Sequence, residues 1–254
     1  MEQNELIIEG GAGLTSCLSV RLHEAAKFHV EHGHFPARID SSKQFYYYRG
    51  DNGDRIDYLL LGTLRPDAPF IGFNHGWQMG WYDEINLPVV SSMALHLCQP
   101  SVHVLARAAD MIRRMDGRTA ILYRGNDKAR EIPKTPYEAM AELARQTGST
   151  RFFVQTDEEE FLRFFHARFP DTAAFDEIPR MKANEHKFVM PTQPNRPQFA
   201  LNFNAVLFAI GQARQVVCTT GNTALWAMIY RGHTRQVWQY HGKEQKGRAI
   251  FAEP

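Results

Sequence analysis

The segment TAILYRGNDKARE, residues 119–131, reads as an apolar strand, Thr119–Tyr123, running into a charged turn. The turn carries Arg124, Asn126, Asp127, Lys128, Arg130 and Glu131. A parallel strand covered on both faces is apolar along its whole length. Ligands of open α/β sheets bind just beyond the carboxyl ends of such strands, where Arg124 stands. A guanidinium there is a planar fork that can hold a phosphate through two hydrogen bonds. The same residues also suit a solvated αβ loop whose charges face water.

Downstream, strands and helices alternate. The pattern predicts a helix over Pro136–Gln146, a strand over Arg151–Gln155, and the acidic run Thr156–Glu160 opening a helix to Phe169. A short strand is expected over Ala174–Ile178 and a proline-rich polar loop over Met181–Pro197. Then come a helix over Phe199–Ala213, a strand over Gln215–Thr219, a helix over Ala224–Tyr230 and a last strand over Arg235–Gln239. Such alternation means a parallel sheet. Its three turns, Arg124–Glu131, Thr156–Asp157 and Thr219–Thr223, would then face one edge. The third opens a helix. Its first amides, with the hydroxyls of Thr219, Thr220 and Thr223 and the Gly221-Asn222 backbone, make an anion site.

Upstream, a strand over Leu6–Glu9 leads through Gly10–Gly13 into a helix over Leu14–Glu31, with Leu18, Leu22, Ala25, Ala26 and His29 at helical spacing. Strand, glycine turn and helix is a phosphate-binding shape that makes Gly11 and Gly13 candidates, but the GxGxxG spacing is absent. A tight βα turn fits equally. His23, His29, His32 and His34 cluster at the helix end, where histidines suit the dipole. No metal site is expected there. A strand is predicted over Arg38–Asp40, and Phe45–Tyr48 with Ile56–Leu61 reads as a hairpin. In FNHGWQMGWYDEINL, residues 73–87, His75, Trp77, Asp83 and Glu84 mix rings with acids as a sugar site does, or form a packed surface loop. Ser101–Met115 is amphipathic, with Val104, Leu105, Ala108, Met111 and Ile112 on one face. Asp116-Gly117 ends it, dividing the chain into residues 1–115 and 116–254.

Composition sets limits. The chain has 254 residues, 44% hydrophobic and 22% charged, with a net charge of +1. That suits one large domain or two small ones and argues against broad nucleic-acid binding, which needs a basic face. The N-terminus lacks a basic leader pattern, and no apolar window is long enough for a membrane span. Cys17, Cys98 and Cys218 are odd in number and far apart, as in reduced, buried thiols of a cytoplasmic protein.

The segments LYRGNDK (122–128), FVQTDEEEF (153–161) and VCTTGNTALWAM (217–228) follow one another in an order that resembles the inverting fucosyltransferase superfamily. That superfamily includes α-1,6-fucosyltransferases, nodulation fucosyltransferases and protein O-fucosyltransferases. The resemblance covers about Thr119–Arg231, and GGAGLTSCLSVRL fits the loop that opens the family's other domain. It implies an α/β fold of two Rossmann-like domains facing across a cleft (GT-B type), here compact. Residues 1–115 would form the acceptor side and residues 116–254 the donor side. It implies a glycosyltransferase that moves fucose from GDP-fucose to a glycan hydroxyl, with no metal and no cofactor beyond the nucleotide-sugar donor. Arg124 matches the arginine of the family's HxRRxDK motif that binds the donor diphosphate. Asp127 and Lys128 match its DK pair, Thr156 and Asp157 its Thr-Asp turn near the nucleoside, and Thr219–Asn222 its phosphate-contacting turn. Glu131, Asp83 and Glu84 are candidates for the base. Leu122 replaces the motif's histidine and Gly125 its second arginine. The acid of the preceding helix is replaced by an apolar residue near Val206, which leaves guanine and uracil both open. Another GDP- or UDP-sugar, or a non-catalytic nucleotide- or glycan-binding protein of the same fold, are the alternatives.

Overall fold

The computed structural model describes residues 4–11, 13–50, 55–67, 70, 85–126, 133–182 and 195–241. In chain order its elements are β1 (Glu5–Ile7), α1 (Leu14–His32), β2 (Arg38–Asp40), α2 (Ile56–Leu60), α3 (Leu87–Leu97), α4 (Val102–Met115), β3 (Thr119–Tyr123), α5 (Tyr137–Gln146), β4 (Phe152–Thr156), α6 (Glu159–Arg168), β5 (Thr172–Ala173), α7 (Arg196–Gly211), β6 (Val216–Cys218), α8 (Asn222–Arg231) and β7 (Val237–Gln239). A 3-10 turn occupies Tyr46–Tyr48.

The strand read from residues 119–123 forms as β3, buried at every position. It is the middle of a five-stranded, all-parallel sheet ordered β5-β4-β3-β6-β7. Side chains alternate across it. Ile121 and Tyr123 pack with Met140 and Ala144 of α5 and with Phe161 and Phe165 of α6. Ala120 and Leu122 join a larger core with α4, α7 and α8. A second parallel pair, β1-β2, carries α1 as its crossover. The result is an α/β architecture compatible with a Rossmann-like fold.

The two sheets share one core, which runs from Ile8 to Val237. Its hub is α8, buried from Thr223 through Tyr230. A helix that is apolar all round has no solvent face and must be covered on every side. Trp226 Nε1 donates to Ser19 Oγ of α1 at 2.8 Å, Tyr230 Oη to Asn204 Oδ1 of α7 at 2.9 Å, and Ser91 Oγ of α3 to the Ile229 carbonyl. Gly211 of α7 permits the closest approach, since a Cβ there would lie 2.8 Å from the Ala227 carbonyl oxygen. The buried Arg21 of α1 adds a staple, donating through Nε to the Leu97 carbonyl at the end of α3 and through Nη1 to Ser41 Oγ. All three cysteines are free and buried, as expected. Among the described residues no helix is long and apolar enough to cross a membrane.

Several local expectations are corrected. Phe45–Tyr48 and Ile56–Leu61 do not form a hairpin. Phe45 and Tyr48 bury together at i and i+3, which suits a 3-10 turn. Ile56 and Leu60 bury at i and i+4, and those residues are helical. The strand after α6 is Thr172–Ala173, and Phe175 and Ile178 beyond it fill the core from a turn. On α4 the buried face is Val104, Ala108, Met111 and Met115, leaving Leu105 and Ile112 exposed. Helix α7 begins at Arg196, before Phe199, with Pro197 in its first turn, where its missing amide is harmless. Residues 71–84 and 51–54, and most of the expected loop over 181–197, lie outside the described residues.

Two outcomes check this account. Trp226→Ala should lower the unfolding free energy by about 3–5 kcal/mol. Far-UV and near-UV signals should still fall together in urea, because α1 and α8 share a core; separate transitions would contradict that. At the surface, the Arg114 guanidinium, with help from Arg107, holds the Glu177 carboxyl down to about 2 from its ordinary 4.5. A depressed carboxyl stabilises the fold above its unfolded pKa and loses that contribution as pH falls through the folded one. Wild type should therefore lose melting temperature between about pH 4.5 and 2 more steeply than Glu177→Gln.

Candidate functional site

The helices that follow the neighbouring strands β3 and β6 leave to opposite faces: α5 to one side, α8 to the other. This is a topological switch point, where the diverging chains open a crevice at the carboxyl edge of the sheet. The turns on either side are tied together. The Arg124 amide donates to Thr219 Oγ1 at 3.2 Å. The Gly125 amide donates to Asp157 Oδ1 at 3.0 Å, and Asn126 Nδ2 to the Asp157 carbonyl at 3.3 Å. Asp157 Oδ2 lies 3.8 Å from Arg124 Nε. The described part of the first turn, residues 124–126, is thus brought together with the other two turns at one edge. The Arg124 side chain is 29% exposed, reaching out from a buried strand.

The third turn leads directly into α8. Gly221 takes φ 148°, open only to glycine at low strain. The first helical bond runs from Leu225 N to the Gly221 carbonyl, so the Asn222, Thr223 and Ala224 amides precede it at the positive end of the helix. Thr220 is differently employed. Its hydroxyl donates to the Tyr240 carbonyl and accepts from Gln239 Nε2, tying the turn to β7. Thr223 is buried in the helix.

The glycine turn of residues 10–13 reaches the same place. Gly13 is the N-cap of α1, and Asn222 Nδ2 of α8 donates to Ser16 Oγ of α1 at 3.3 Å. One turn further along, Trp226 meets Ser19. The two helices therefore run side by side in one direction, with both N-termini at the carboxyl edge. Gly11 lies just before this start, with the rings of Tyr46 and Tyr47 where a Cβ would go.

Glu158 went unread in the sequence. Its side chain is 0% exposed, 2.8 Å from Lys134 Nζ, and accepts a hydrogen bond from Tyr137 Oη at 2.6 Å. Burial, and then the Glu158 carboxylate, push the Tyr137 phenol well above its usual range. A Cβ on Gly125 would lie 2.5 Å from Glu158 Oε1, so the carboxylate fills the space a side chain there would take. Nothing in the run TDEEE separates Glu158 from Glu159 and Glu160, which sit in the first turn of α6 as helix-start acids do.

Other candidates are placed less directly. Thr156 is buried, and its hydroxyl accepts from the Glu158 amide, a turn-forming role. Asp127, Lys128 and Glu131, and the acceptor-side His75, Trp77, Asp83 and Glu84, lie outside the described residues. Among the described residues, Asp157 places a carboxylate beside Arg124. Val206 is fully buried, and the nearby Asn202 and Asn204 already bond Arg107 and Tyr230. His29 stacks on Phe70 with ring centroids 4.0 Å apart, and His32 packs on Phe28. Among the described residues no three metal-ligating side chains gather. Searches with protein-family models and among curated proteins find no match for the chain.

The Glu158–Lys134 pair supplies a test of the turn. Lys134→Met leaves a carboxylate buried without its cation, which should destabilise the fold by about 3–5 kcal/mol. Lys134→Met/Glu158→Gln should recover much of that loss. Additive losses in chemical denaturation would show the pair to be uncoupled.

Proposed function

We propose that this protein is an inverting glycosyltransferase, resembling fucosyltransferases, that transfers fucose from GDP-fucose to a glycan hydroxyl. In this reading the chain is a compact pair of Rossmann-like halves. Residues 1–115 serve the acceptor and residues 116–254 the donor. The observation that carries it is the Arg124 amide bonded to Thr219 at the switch point, which ties the turn that bears this arginine to the turn that opens α8. Arginine fork and helix start together suit the diphosphate of a nucleotide sugar. The order of the three motifs supports the sugar-transfer chemistry.

The reaction is one displacement. The acceptor oxygen forms a bond to the anomeric carbon as the bond from that carbon to the β-phosphate oxygen breaks. The acceptor proton passes to a base, for which Glu131, Asp83 and Glu84 are the candidates. The departing diphosphate keeps the electron pair. Charge grows on its β-phosphate, and donors aimed there stabilise the transition state more than the ground state. Arg124 and the amides at Gly221-Asn222 take that role, with Asp157 aligning the guanidinium. A different GDP-sugar or a UDP-sugar is the second reading. The UDP-sugar is favoured by the buried Val206 and the already bonded Asn202 and Asn204, which leave α7 without an acid for guanine.

Arg124→Ala should lower kcat/KM by about 10²–10³-fold and weaken nucleotide binding while leaving the melting temperature in place. Arg124→Lys should recover little, because an ammonium cannot make the two-pronged contact. Turnover should survive EDTA. Melting temperature, nucleotide Kd and turnover on the two variants decide the matter. A folded Arg124→Ala protein with unchanged nucleotide affinity and near-normal turnover would remove the residue from the site.

A further inference from the structure

Three tyrosines follow one another at residues 46–48, and the fold treats them differently. Tyr48 is 2% exposed and Phe45 is 0% exposed, so both ends of the short 3-10 turn are anchored in the core. Between them Tyr46 and Tyr47 project outward, 44% and 37% exposed. Their ring centroids are 3.9 Å apart with the planes tilted by 34°, so the two rings pack face against face as one exposed aromatic unit. Large rings left in water contribute little to the core, and a rigid pair held at its flanks is what a binding surface needs.

The pair has a definite address. Both rings close over Gly11, occupying the space a side chain there would take. Gly11 leads into α1, whose Ser16 receives the hydrogen bond from Asn222 at the start of α8. The rings therefore stand at the carboxyl end of β1, on the β1–β2 side of the paired helix starts. Lys43 and Glu9, ion-paired and exposed, flank the same rim.

We propose that Tyr46 and Tyr47 form the acceptor platform of this cleft, stacking on a pyranose ring of the acceptor glycan. The inference rests on the glycosyl-transfer reading above. A pyranose presents a face of C–H groups, slightly positive, that fits the negative face of an aromatic ring. Its rim of hydroxyls can exchange hydrogen bonds with the two phenols, each both donor and acceptor. The donor diphosphate is assigned to Arg124 and α8, so the aromatic side of the helix starts is left for the acceptor. A nucleobase would also stack on these rings, and the test separates the two.

The test uses the full chain, with Tyr46→Ala/Tyr47→Ala as the main variant and Tyr46→Leu/Tyr47→Leu as a bulk-retaining control. Melting temperature establishes folding. Saturation-transfer NMR with oligosaccharides, chosen from a glycan-array hit on wild type, reads ring contact without any turnover. GDP titration and donor hydrolysis read the other side of the cleft. Both double variants should lose the saturation transfer and raise acceptor KM about tenfold, while GDP affinity and hydrolysis stay put. Unchanged acceptor KM in a folded variant overturns the proposal. So does a wild type that binds no glycan, or a fall in GDP affinity, which would give the rings to the base. Glycan contact at the tyrosines without transfer from any sugar nucleotide would keep the platform and sink the transferase reading instead.

Discussion

The packing of α8 against α1 is the constraint on which the rest of the molecule depends. Helix α8 has no polar face from Thr223 to Tyr230, so it is stable only when covered by α1, α3, α7 and the sheet at once. The Trp226–Ser19 hydrogen bond fixes the register of that contact, because a buried indole N–H left unpaired would itself be destabilising. Once α1 and α8 lie side by side in one direction, their N-termini must end at one edge. The glycine turn before α1 and the Thr-Gly turn before α8 are then neighbours by construction.

The polar geometry of the described site residues is built on this frame. Asp157 aligns Arg124, Thr219 receives the Arg124 amide, and Glu158 with Lys134 backs the Gly125 position. Arg124 and Asp157, like Lys134 and Glu158, offset one another, so the side-chain charges of these four nearly cancel. In the proposed function the pull on an anion would then come from orientation, through the guanidinium fork and the helix-start amides. Such preorganised dipoles act most strongly on charge that develops during a reaction.

How much of this could be read from residues alone follows from the range of each signal. Strand β3 was legible because five consecutive buried positions leave little else for TAILY to be. Helix α1 was legible from its apolar spacing and the glycines before it. Helix α3 went unread: LPVVSSMALHL mixes β-branched and serine residues, and Ser91 is buried only because the Ile229 carbonyl accepts its hydroxyl. The hairpin expected across residues 45–61 failed for a similar reason. Short apolar clusters carry no period until it is known which members bury together. The three turns and their common edge were legible from the alternation of elements. The switch point was not, since strand order is a property of the assembled sheet. Nor was Glu158, one acid among three whose distinction is only that Lys134 and Tyr137 close over it.

The central claim is that a nucleotide diphosphate lies across the crevice between β3 and β6. A crystal structure with GDP bound tests it most directly. The account predicts a phosphate oxygen within hydrogen-bonding distance of the Arg124 guanidinium and of an amide in the first turn of α8. GDP bound elsewhere on the molecule, or a fully loaded crystal with Arg124 facing only Asp157, would contradict it.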